Sequence, residues 1–244
     1  MVRYHGLPLY FPEREFIEKE VFKASQMVRM DWLALLSEAD VKGRACRDKQ
    51  ELLERVDLFR EFCRDHLCYE TARQFPSDHS RFLYFHKPDR QPDYHAFDDT
   101  KFEVVMISGL PGSGKDTWIQ EKLPRLPVIS LDMIRKDLNR PFTGNQGRVI
   151  QFAREKAREL MRKQRTFIWN GTNLTIRLRQ PLVEFFYSYG ARIRIIYREV
   201  SYSELLSRNR NRQHSVPGKA LQKMIEMLEI PEATEAHLVE YVLD

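Results

Sequence analysis

The stretch GLPGSGKDT, residues 109–117, has the spacing of a phosphate-binding loop. Such a loop runs Gly, four residues, Gly, Lys and then Ser or Thr. Its backbone N–H groups cradle nucleotide phosphates, and its lysine reaches the β- and γ-phosphates. The hydroxyl of the final residue normally contacts the bound Mg²⁺. Asp116 holds that position here, so the spacing indicates phosphate binding and the residue type indicates altered metal chemistry.

The loop supplies most of the predicted nucleotide-binding residues, namely Gly109, Pro111, Gly112, Ser113, Gly114, Lys115, Asp116 and Thr117. Asp116 has two interpretations. As a hard oxygen donor it is a candidate ligand of Mg²⁺ or Mn²⁺, directly or through water. As an acid at the start of a helix it would only be favoured by the helix dipole. The next hydroxyl, on Thr117, is turned about 100° around a helix, so we do not expect it to replace the missing one.

A second candidate group follows the apolar run VISL. Asp132 comes directly after that run, and Arg135 follows on the same face of a helix. An acid at the end of a strand can reach a hydroxyl that attacks a γ-phosphate, so Asp132 is a candidate general base. The alternative is a helix-capping aspartate that pairs with its own arginine, and the pattern alone leaves both open.

A third group is the basic segment LLSRNRNRQHSVP, residues 205–217. Positive charge on a segment bounded by proline would suit a mobile lid that stabilises a transferring phosphoryl group. The alternative is an exposed basic end of a helix.

The elements that must position these groups alternate along the chain. Runs of β-branched and aromatic residues predict strands at 102–108, 126–131, 166–170 and 192–198. Helical patterns are predicted near 114–123, 133–139, 146–164, 175–189, 201–211 and 217–229. This alternation predicts an α/β fold with a parallel sheet flanked by helices, whose ligands gather at the carboxyl ends of the strands.

The chain before this region has a different pattern. Apolar residues at three-to-four spacing predict helices at 12–24, 26–39 and 48–66. Prolines then interrupt a polar stretch without periodicity. We therefore predict three parts, which are a small helical N-terminal domain at 1–86, a linker at 87–100 and the α/β domain at 101–244.

Composition excludes several classes of protein. The chain is 42% hydrophobic and 31% charged, as is typical of globular proteins. No apolar run approaches the roughly 18 residues of a membrane helix, and no signal peptide is apparent, so we expect a cytoplasmic protein without a membrane partner. The three cysteines form no CxxC pair, which argues against a disulfide framework or a zinc site.

The net charge of +5 is unevenly distributed, because residues 133–212 hold 18 Lys plus Arg against 6 Asp plus Glu. Arginine dominates this excess and suits bidentate contacts with phosphate. The segment therefore predicts a site for a polyanion. Solvated helix faces explain residues such as Arg154 and Arg158 equally well, whereas helix solubility cannot explain the strand residues Arg192 and Arg194.

With these motifs in this order, residues 101–231 resemble the 5′-hydroxyl polynucleotide kinases of the P-loop phosphotransferase class. That family's Gly-x-Pro-Gly-Ser-Gly-Lys loop appears here at 109–115, and its Asp-x-x-Arg appears as Asp132 and Arg135. Its lid, Arg-Asn-x-x-Arg followed by Val-Pro, is matched by Arg208, Asn209, Arg212, Val216 and Pro217.

The resemblance implies roles for these residues. Asp132 would activate the 5′-hydroxyl, and Arg135 would hold the neighbouring phosphate of the acceptor. Lys115 and Arg212 would contact the donor phosphates and stabilise the transferring group. The family's Asp-Thr-Asn-Leu after the third strand reads Gly-Thr-Asn-Leu here, so its acid is missing and only Thr172 and Asn173 carry over as candidate substrate-binding residues.

The N-terminal part also resembles a known family. VRYHGLPLYF (2–11) and LLSEADVKGRAC (35–46) are similar to the later helices of HD-type metal phosphohydrolases, which some bacterial proteins carry ahead of such a kinase. The defining His-Asp dipeptide occurs nowhere in the sequence, and its expected location lies before Met1. Asp40 alone could represent a metal-ligand position, so we expect a partial HD-like domain that supports the kinase.

The resemblance as a whole implies a kinase that moves the γ-phosphate of ATP, GTP or another nucleoside triphosphate, with Mg²⁺ or Mn²⁺, to the 5′-hydroxyl end of RNA or DNA in nucleic-acid repair. Two alternatives stay open, a P-loop kinase of a small metabolite and a non-catalytic, nucleotide-gated RNA-binding module. The base of the donor, the choice between RNA and DNA, and the oligomeric state are not specified by any motif.

Overall fold

The computed structural model describes residues 1–139, 147–211 and 215–243, which divide into two units. The helical unit comprises Met1–Phe97 and Glu232–Thr234, and the α/β unit comprises Asp98–Pro231 and Glu235–Asp244. The main division falls inside the predicted linker, whereas no sequence pattern indicated that the short segment Glu232–Thr234 belongs with the first unit. The three-part division at 1–86, 87–100 and 101–244 stays a prediction.

The helical unit contains two 3₁₀ turns and five helices, which are Val2–Tyr4, Phe11–Glu13, α1 (Leu7–Tyr10), α2 (Ile17–Ser25), α3 (Met30–Gly43), α4 (Lys49–Asp65) and α5 (Asp78–His86). Helix α4 buries Leu52, Val56 and Phe59 along one face, as its three-to-four spacing predicts. Helix α5 was not predicted. It begins where the Ser77 hydroxyl accepts a hydrogen bond from the Ser80 N–H at 3.0 Å.

The α/β unit is built on a five-stranded sheet, whose strands are β1 (Phe102–Ser108), β2 (Val128–Ser130), β3 (Phe167–Asn170), β4 (Ala191–Glu199) and β5 (Leu238–Leu243). Their order is β2-β3-β1-β4-β5, and every neighbouring pair is parallel. Strand β1 is buried at six of its seven positions, as expected of a central strand that is covered on both faces.

Helices connect or follow these strands, and their bounds are α6 (Lys115–Lys122), α7 (Leu131–Asp137), α8 (Gly147–Arg162), α9 (Ile176–Tyr187), α10 (Tyr202–Arg210) and α11 (Gly218–Glu226). The predicted α/β fold with a parallel sheet flanked by helices, preceded by a helical region, is therefore confirmed. Because the strands are parallel, the loops after β1, β2, β3 and β4 all lie at one edge of the sheet.

Two strands differ from the sequence prediction. Strand β2 has only three residues, because Leu131 already belongs to α7. Strand β5 was missed, and its register with β4 runs from Arg194↔Leu238 to Glu199↔Leu243. Its sequence, Leu-Val-Glu-Tyr-Val-Leu, is apolar or aromatic at five of six positions, so residue type could have predicted this strand, although all six residues are exposed or half-buried.

Candidate active site

The phosphate-binding loop joins β1 to α6 and depends on glycine at defined positions. Gly109 and Gly114 have φ of +149° and +82°, in the region that side chains other than glycine rarely adopt. A Cβ on Gly109 would lie 2.5 Å from the backbone oxygen of Arg198, which backbone atoms could not accommodate without shifting. The chain therefore needs glycine here to bring the loop close to the end of β4.

The loop leads directly into the N-terminus of α6, where Gly114 is the N-cap residue and no side chain caps the helix. Backbone N–H groups at such an end attract anions. The Lys115 ammonium donates to the carbonyl oxygens of Gly109 at 2.9 Å and Leu110 at 2.8 Å. The lysine thus folds along the loop, at the place from which it can reach a bound phosphate.

A cleft of about 500 Å³ opens beside the loop. Eight predicted site residues line it, which are Pro111, Gly112, Gly114, Lys115, Asp116, Thr117, Asp132 and Thr172. Arg208 of the predicted lid lines it too, and so do six residues that the sequence did not indicate as site residues, which are Trp118, Glu121, Ser130, Asn170, Gly171 and Arg198. The structure therefore brings the loop, the end of β2 and the end of β3 around one space.

Asp116 has a partner that the sequence did not reveal. The Asn170 amide nitrogen donates to its Oδ1 at 2.6 Å. Asn170 is the last residue of β3, is buried, and lies in register with Ile107 of β1. The aspartate that replaces the usual hydroxyl is therefore held by the neighbouring strand.

Asp132 lies in the first turn of α7 and forms an ion pair with Arg135. Its side chain is 55% exposed, whereas that of Arg135 is 15% exposed. The helix is capped by a different residue, since the Ser130 hydroxyl accepts from the Met133 N–H at 3.3 Å. The interpretation of Asp132 as a helix cap is therefore wrong. The ion pair with Arg135, which the same interpretation included, is observed, and Asp132 also lines the cleft.

Thr172 and Asn173 have different surroundings, although the resemblance gave them one role. Thr172 lines the cleft, and its carbonyl oxygen accepts from the Gly109 N–H at 2.9 Å. Asn173 is buried, and its side-chain amide donates to the carbonyl oxygen of Ile107 at 2.6 Å. The structure turns Asn173 away from the cleft, so we assign its side chain to supporting β1 instead of binding substrate.

A buried arginine fixes the same loop from behind. Arg179 of α9 forms a bidentate pair with Glu235, at 2.6 and 2.8 Å, and donates to the carbonyl oxygens of Asn173 and Glu229 at 3.0 and 2.8 Å. Only 1% of its side chain is exposed. Arg179 therefore supports the loop after β3 without facing the cleft.

Two arginines of β4 form ion pairs within the unit, although the charge pattern predicted a polyanion site. Arg192 pairs with Asp98 at 3.1 Å, and Arg194 pairs with Glu240 at 2.8 Å. Both lie in the amino-terminal half of β4, away from the edge that carries the cleft, so their predicted part in a polyanion site is corrected. Arg198, at the carboxyl end of the same strand, lines the cleft. Its place as the last arginine of RIRIIYR was the signal that could have identified it.

Arg208 of the predicted lid lies against the phosphate loop. A Cβ on Gly114 would lie 2.8 Å from its Nη1, and Arg208 also pairs with Glu204 within α10. Asn209 holds the returning chain, because its Nδ2 donates to the Val216 carbonyl at 2.8 Å and its Oδ1 accepts from the Val216 N–H at 3.0 Å. Arg212, the predicted catalytic lid residue, lies outside the described residues.

A smaller cavity of about 150 Å³ adjoins Arg198 on the β4 side, where Ser113, Tyr197 and Glu199 contribute to its lining. Burial, together with a hydrogen bond to Glu199, raises the pKa of Tyr197. Arg198 lines both this cavity and the cleft.

Two arginines of the basic helix α8 make packing contacts with an aromatic ring. Arg154 and Arg158 both lie over the Phe185 ring, at 5.3 and 5.4 Å from its centroid, and Arg158 also pairs with Glu155 at 2.6 Å. These contacts explain the presence of Arg154 and Arg158 in the basic segment without requiring a bound polyanion.

Across residues 1–139, 147–211 and 215–243, no three His, Cys, Asp or Glu side chains form a group that could hold a metal ion. Asp40, the candidate HD-like ligand, forms an ion pair with Arg44. Of the helices that the structure describes, none combines the length and the apolar character needed to cross a membrane.

Parts of this chain are similar to several solved structures. A protein from Chloroflexus aurantiacus J-10-fl that is assigned as a kinase has 16% identity and a TM-score of 0.50, over 59% of this chain and 86% of that one. A gluconokinase from Sinorhizobium meliloti 1021 has 20% identity and a TM-score of 0.42, over 59% and 83%. A chain of a Pnkp1/Rnl/Hen1 complex has 19% identity and a TM-score of 0.42, over 52% and 44%. The first similarity agrees with the fold described above, and none of the three identifies an acceptor.

The family comparison is more specific. The model of the AAA domain family AAA_33 matches residues 104–231, just over half of the chain. The matched segment contains most of β1, the phosphate loop, Asp132, Arg135 and the whole segment predicted as a lid. The chain therefore belongs to the AAA_33 family of AAA domains, and its α/β unit is a P-loop kinase domain of that type.

Proposed function

We propose that this protein is a 5′-hydroxyl polynucleotide kinase, which transfers the γ-phosphate of ATP, GTP or another nucleoside triphosphate to the 5′-hydroxyl end of RNA or DNA. One observation carries the proposal: Asp132, with Arg135 beside it, lies on the same cleft as the phosphate loop. A donor γ-phosphate held by the loop and an acceptor hydroxyl held at Asp132 would then meet in one space.

The donor half would be bound by the loop and by three cations. Backbone N–H groups of the loop and of the α6 N-terminus face the cleft, where Lys115, Arg198 and Arg208 add positive charge. Preorganised donors of this kind stabilise the charge that spreads over the transferring phosphoryl oxygens. Arg212 is proposed to contribute from the lid.

The residues of the cleft also fit a magnesium ion. Mg²⁺ prefers oxygen ligands and is commonly bound by one or two carboxylates together with substrate phosphates. Asp116 supplies a carboxylate on the cleft, so it is the residue that would hold the ion. When bound, Mg²⁺ or Mn²⁺ neutralises charge on the β- and γ-phosphate oxygens.

The acceptor half would depend on the ion pair of α7. Asp132 would accept the proton of the 5′-hydroxyl as the oxygen attacks the γ-phosphate, and Arg135 would hold the adjacent phosphate of the acceptor. The pairing of the two side chains keeps the carboxylate oriented. An acceptor with a phosphate next to its hydroxyl uses both residues, which favours an oligonucleotide over a neutral metabolite.

The helical unit is proposed to be an HD-like remnant with a supporting role. The Asp40 carboxylate, which a metal would need as a ligand, is paired with Arg44. This pairing supports a structural role over a phosphohydrolase activity.

The test is transfer of labelled phosphate to oligonucleotides. The wild-type protein, incubated with Mg²⁺, a γ-labelled donor and RNA or DNA with a 5′-hydroxyl, is expected to label the oligonucleotide. Asp132→Asn should lower the rate about 100-fold or more, because a general base is worth roughly that factor. Binding of nucleotide should be retained, since the variant keeps every loop residue.

Asp137→Asn serves as the matched control, because Asp137 is an exposed acid on the same helix. It should transfer phosphate at the wild-type rate. Absence of label on every oligonucleotide with every donor would overturn the proposal. Labelling of sugars or other small alcohols instead would identify the metabolite-kinase alternative, and tight nucleotide binding without any turnover would identify the non-catalytic module.

A further inference from the structure

Asp116 holds the position after the loop lysine, where a hydroxyl is usual, and its side chain is bonded to the amide of Asn170. In P-loop NTPases the metal is held by the hydroxyl that follows the loop lysine and by an aspartate outside the loop. In this chain the residue after Lys115 is the aspartate. The residue that faces it from the end of the neighbouring strand, Asn170, carries a neutral amide.

The contact between the two is well defined. The Asn170 Nδ2 donates to the Asp116 Oδ1 at 2.6 Å, and both side chains line the cleft. Asn170 is 6% exposed and is paired in register with β1 on one side and with Ser130 of β2 on the other. A side chain anchored in the middle of a parallel sheet is rigid, so it can orient the more exposed Asp116.

The chemistry of the pair is suited to one cation. A carboxylate has two oxygens, so the bond to Asn170 leaves Oδ2 of Asp116 able to act as a ligand. Asp116 and Asn170 together contain one carboxylate, as do the loop hydroxyl and the aspartate of the usual arrangement. Mg²⁺ completes its octahedral shell with water and substrate phosphates, so one protein carboxylate beside a phosphate loop is sufficient.

We propose that the acidic ligand and its neutral partner have exchanged positions in this chain. Asp116 supplies the carboxylate for the magnesium of the bound nucleotide, and Asn170 is the positioning residue that orients it. This inference rests on the proposed function only in its donor half, the binding of a magnesium nucleotide. It requires nothing of the acceptor.

The experiment reverses the exchange. Four proteins are compared, which are the wild type, Asp116→Thr, Asn170→Asp and the double variant Asp116→Thr with Asn170→Asp. Affinity for ADP is measured by calorimetry over a series of Mg²⁺ concentrations, and Mn²⁺ bound in the ADP complex is followed by electron paramagnetic resonance. Neither measurement requires phosphate transfer.

The half-effect concentration is the Mg²⁺ concentration that gives half of the full change in ADP affinity. Asp116→Thr should raise it about tenfold or more, since loss of metal ligands or of the residues that orient them typically lowers metal affinity 10- to 100-fold. Asn170→Asp puts two carboxylates within hydrogen-bonding distance of each other. Its unfolding temperature should therefore fall without metal and rise more than that of the wild type when Mg²⁺ and ADP are added.

The double variant decides the question. It restores the usual arrangement of a loop hydroxyl and a strand-end acid, so its Mg²⁺ half-effect and its Mn²⁺ spectrum should return close to those of the wild type. Asp137→Asn is the control for removal of an exposed acid and should not change either quantity.

Three results would overturn the inference. One is a wild-type protein whose ADP affinity does not depend on Mg²⁺, and another is Asp116→Thr with the wild-type Mg²⁺ dependence, which would leave Asp116 as a helix-end acid favoured by the dipole. The third is a double variant that binds metal no better than Asp116→Thr. A wild-type protein that binds magnesium nucleotide but labels no oligonucleotide would instead contradict the proposed acceptor and leave this inference intact.

Discussion

The two halves of β4 carry the same residue type and use it in opposite ways. In the amino-terminal half, Arg192 and Arg194 pair with Asp98 and Glu240, away from the edge of the sheet that carries the cleft. At the carboxyl end, Arg198 lies against the phosphate loop and lines the cleft. The direction of a parallel strand therefore decides whether an arginine stabilises the sheet or faces a ligand, because ligands gather only at the carboxyl edge.

The same comparison extends to the ion pairs that support each end. The Arg194–Glu240 pair is partly exposed, with side-chain exposures of 26% and 35%. The Arg179–Glu235 pair, which supports the loop after β3 at the carboxyl edge, has exposures of 1% and 7%. Removing one partner should therefore lower the free energy of unfolding much more at the Arg179–Glu235 pair than at the Arg194–Glu240 pair.

The largest expected effect is on the buried pair. Arg179→Met should lower the free energy of unfolding by about 3–5 kcal/mol, because it takes the arginine partner from the buried Glu235 carboxylate and one hydrogen-bond donor from each of the carbonyl oxygens of Asn173 and Glu229. Urea unfolding followed by circular dichroism measures this loss. Adding Glu235→Leu to Arg179→Met should recover part of it, whereas a loss below about 1 kcal/mol would show that the pair is not the support described here.

An intermediate effect is expected for the arginine at the cleft. Arg198→Gln should weaken ATP or ADP affinity by roughly 10- to 100-fold, since a hydrogen bond to a charged group contributes about 1.5–3 kcal/mol. Calorimetry with magnesium nucleotide gives the value, and circular dichroism of the same sample checks that the variant is folded. Unchanged affinity in a folded variant would place the nucleotide phosphates away from Arg198.

The smallest effect is expected for the matched arginine on the same strand. Arg194→Gln should cost only about 0.2–1 kcal/mol of stability, as partly exposed ion pairs usually do. It should not change nucleotide affinity, because Arg194 is in the half of β4 that is remote from the cleft. If Arg194→Gln weakened nucleotide or oligonucleotide binding as much as Arg198→Gln, the contrast between the two halves of β4 would be contradicted.

Local sequence patterns predicted much of the α/β unit. The apolar runs of β1, β3 and β4 and the spacing of the phosphate loop are local features, and each was located within a residue or two. The partner of Asp116 could not be located in this way. Asn170 is distant in sequence and meets Asp116 only because β3 pairs with β1.

Residue roles were less predictable than element positions. Asn173 matched a family motif in sequence, yet its side chain is bonded to the carbonyl oxygen of Ile107 inside the unit. Its backbone is also unusual, with a φ of +43°. A motif specifies residue type and order, whereas the direction of a side chain depends on the backbone around it and on what packs against it.

Spacing within a strand, a turn or a helix is enough to predict the α/β class, the phosphate loop and the local pair of Asp132 and Arg135. The three-dimensional fold was needed to show that Asn170 holds Asp116, that Arg198 and not Arg194 faces the cleft, and that Arg179 supports the site from a buried position. The physical reason is that strand order and strand direction bring distant residues together, and neither is encoded in the spacing of neighbouring side chains.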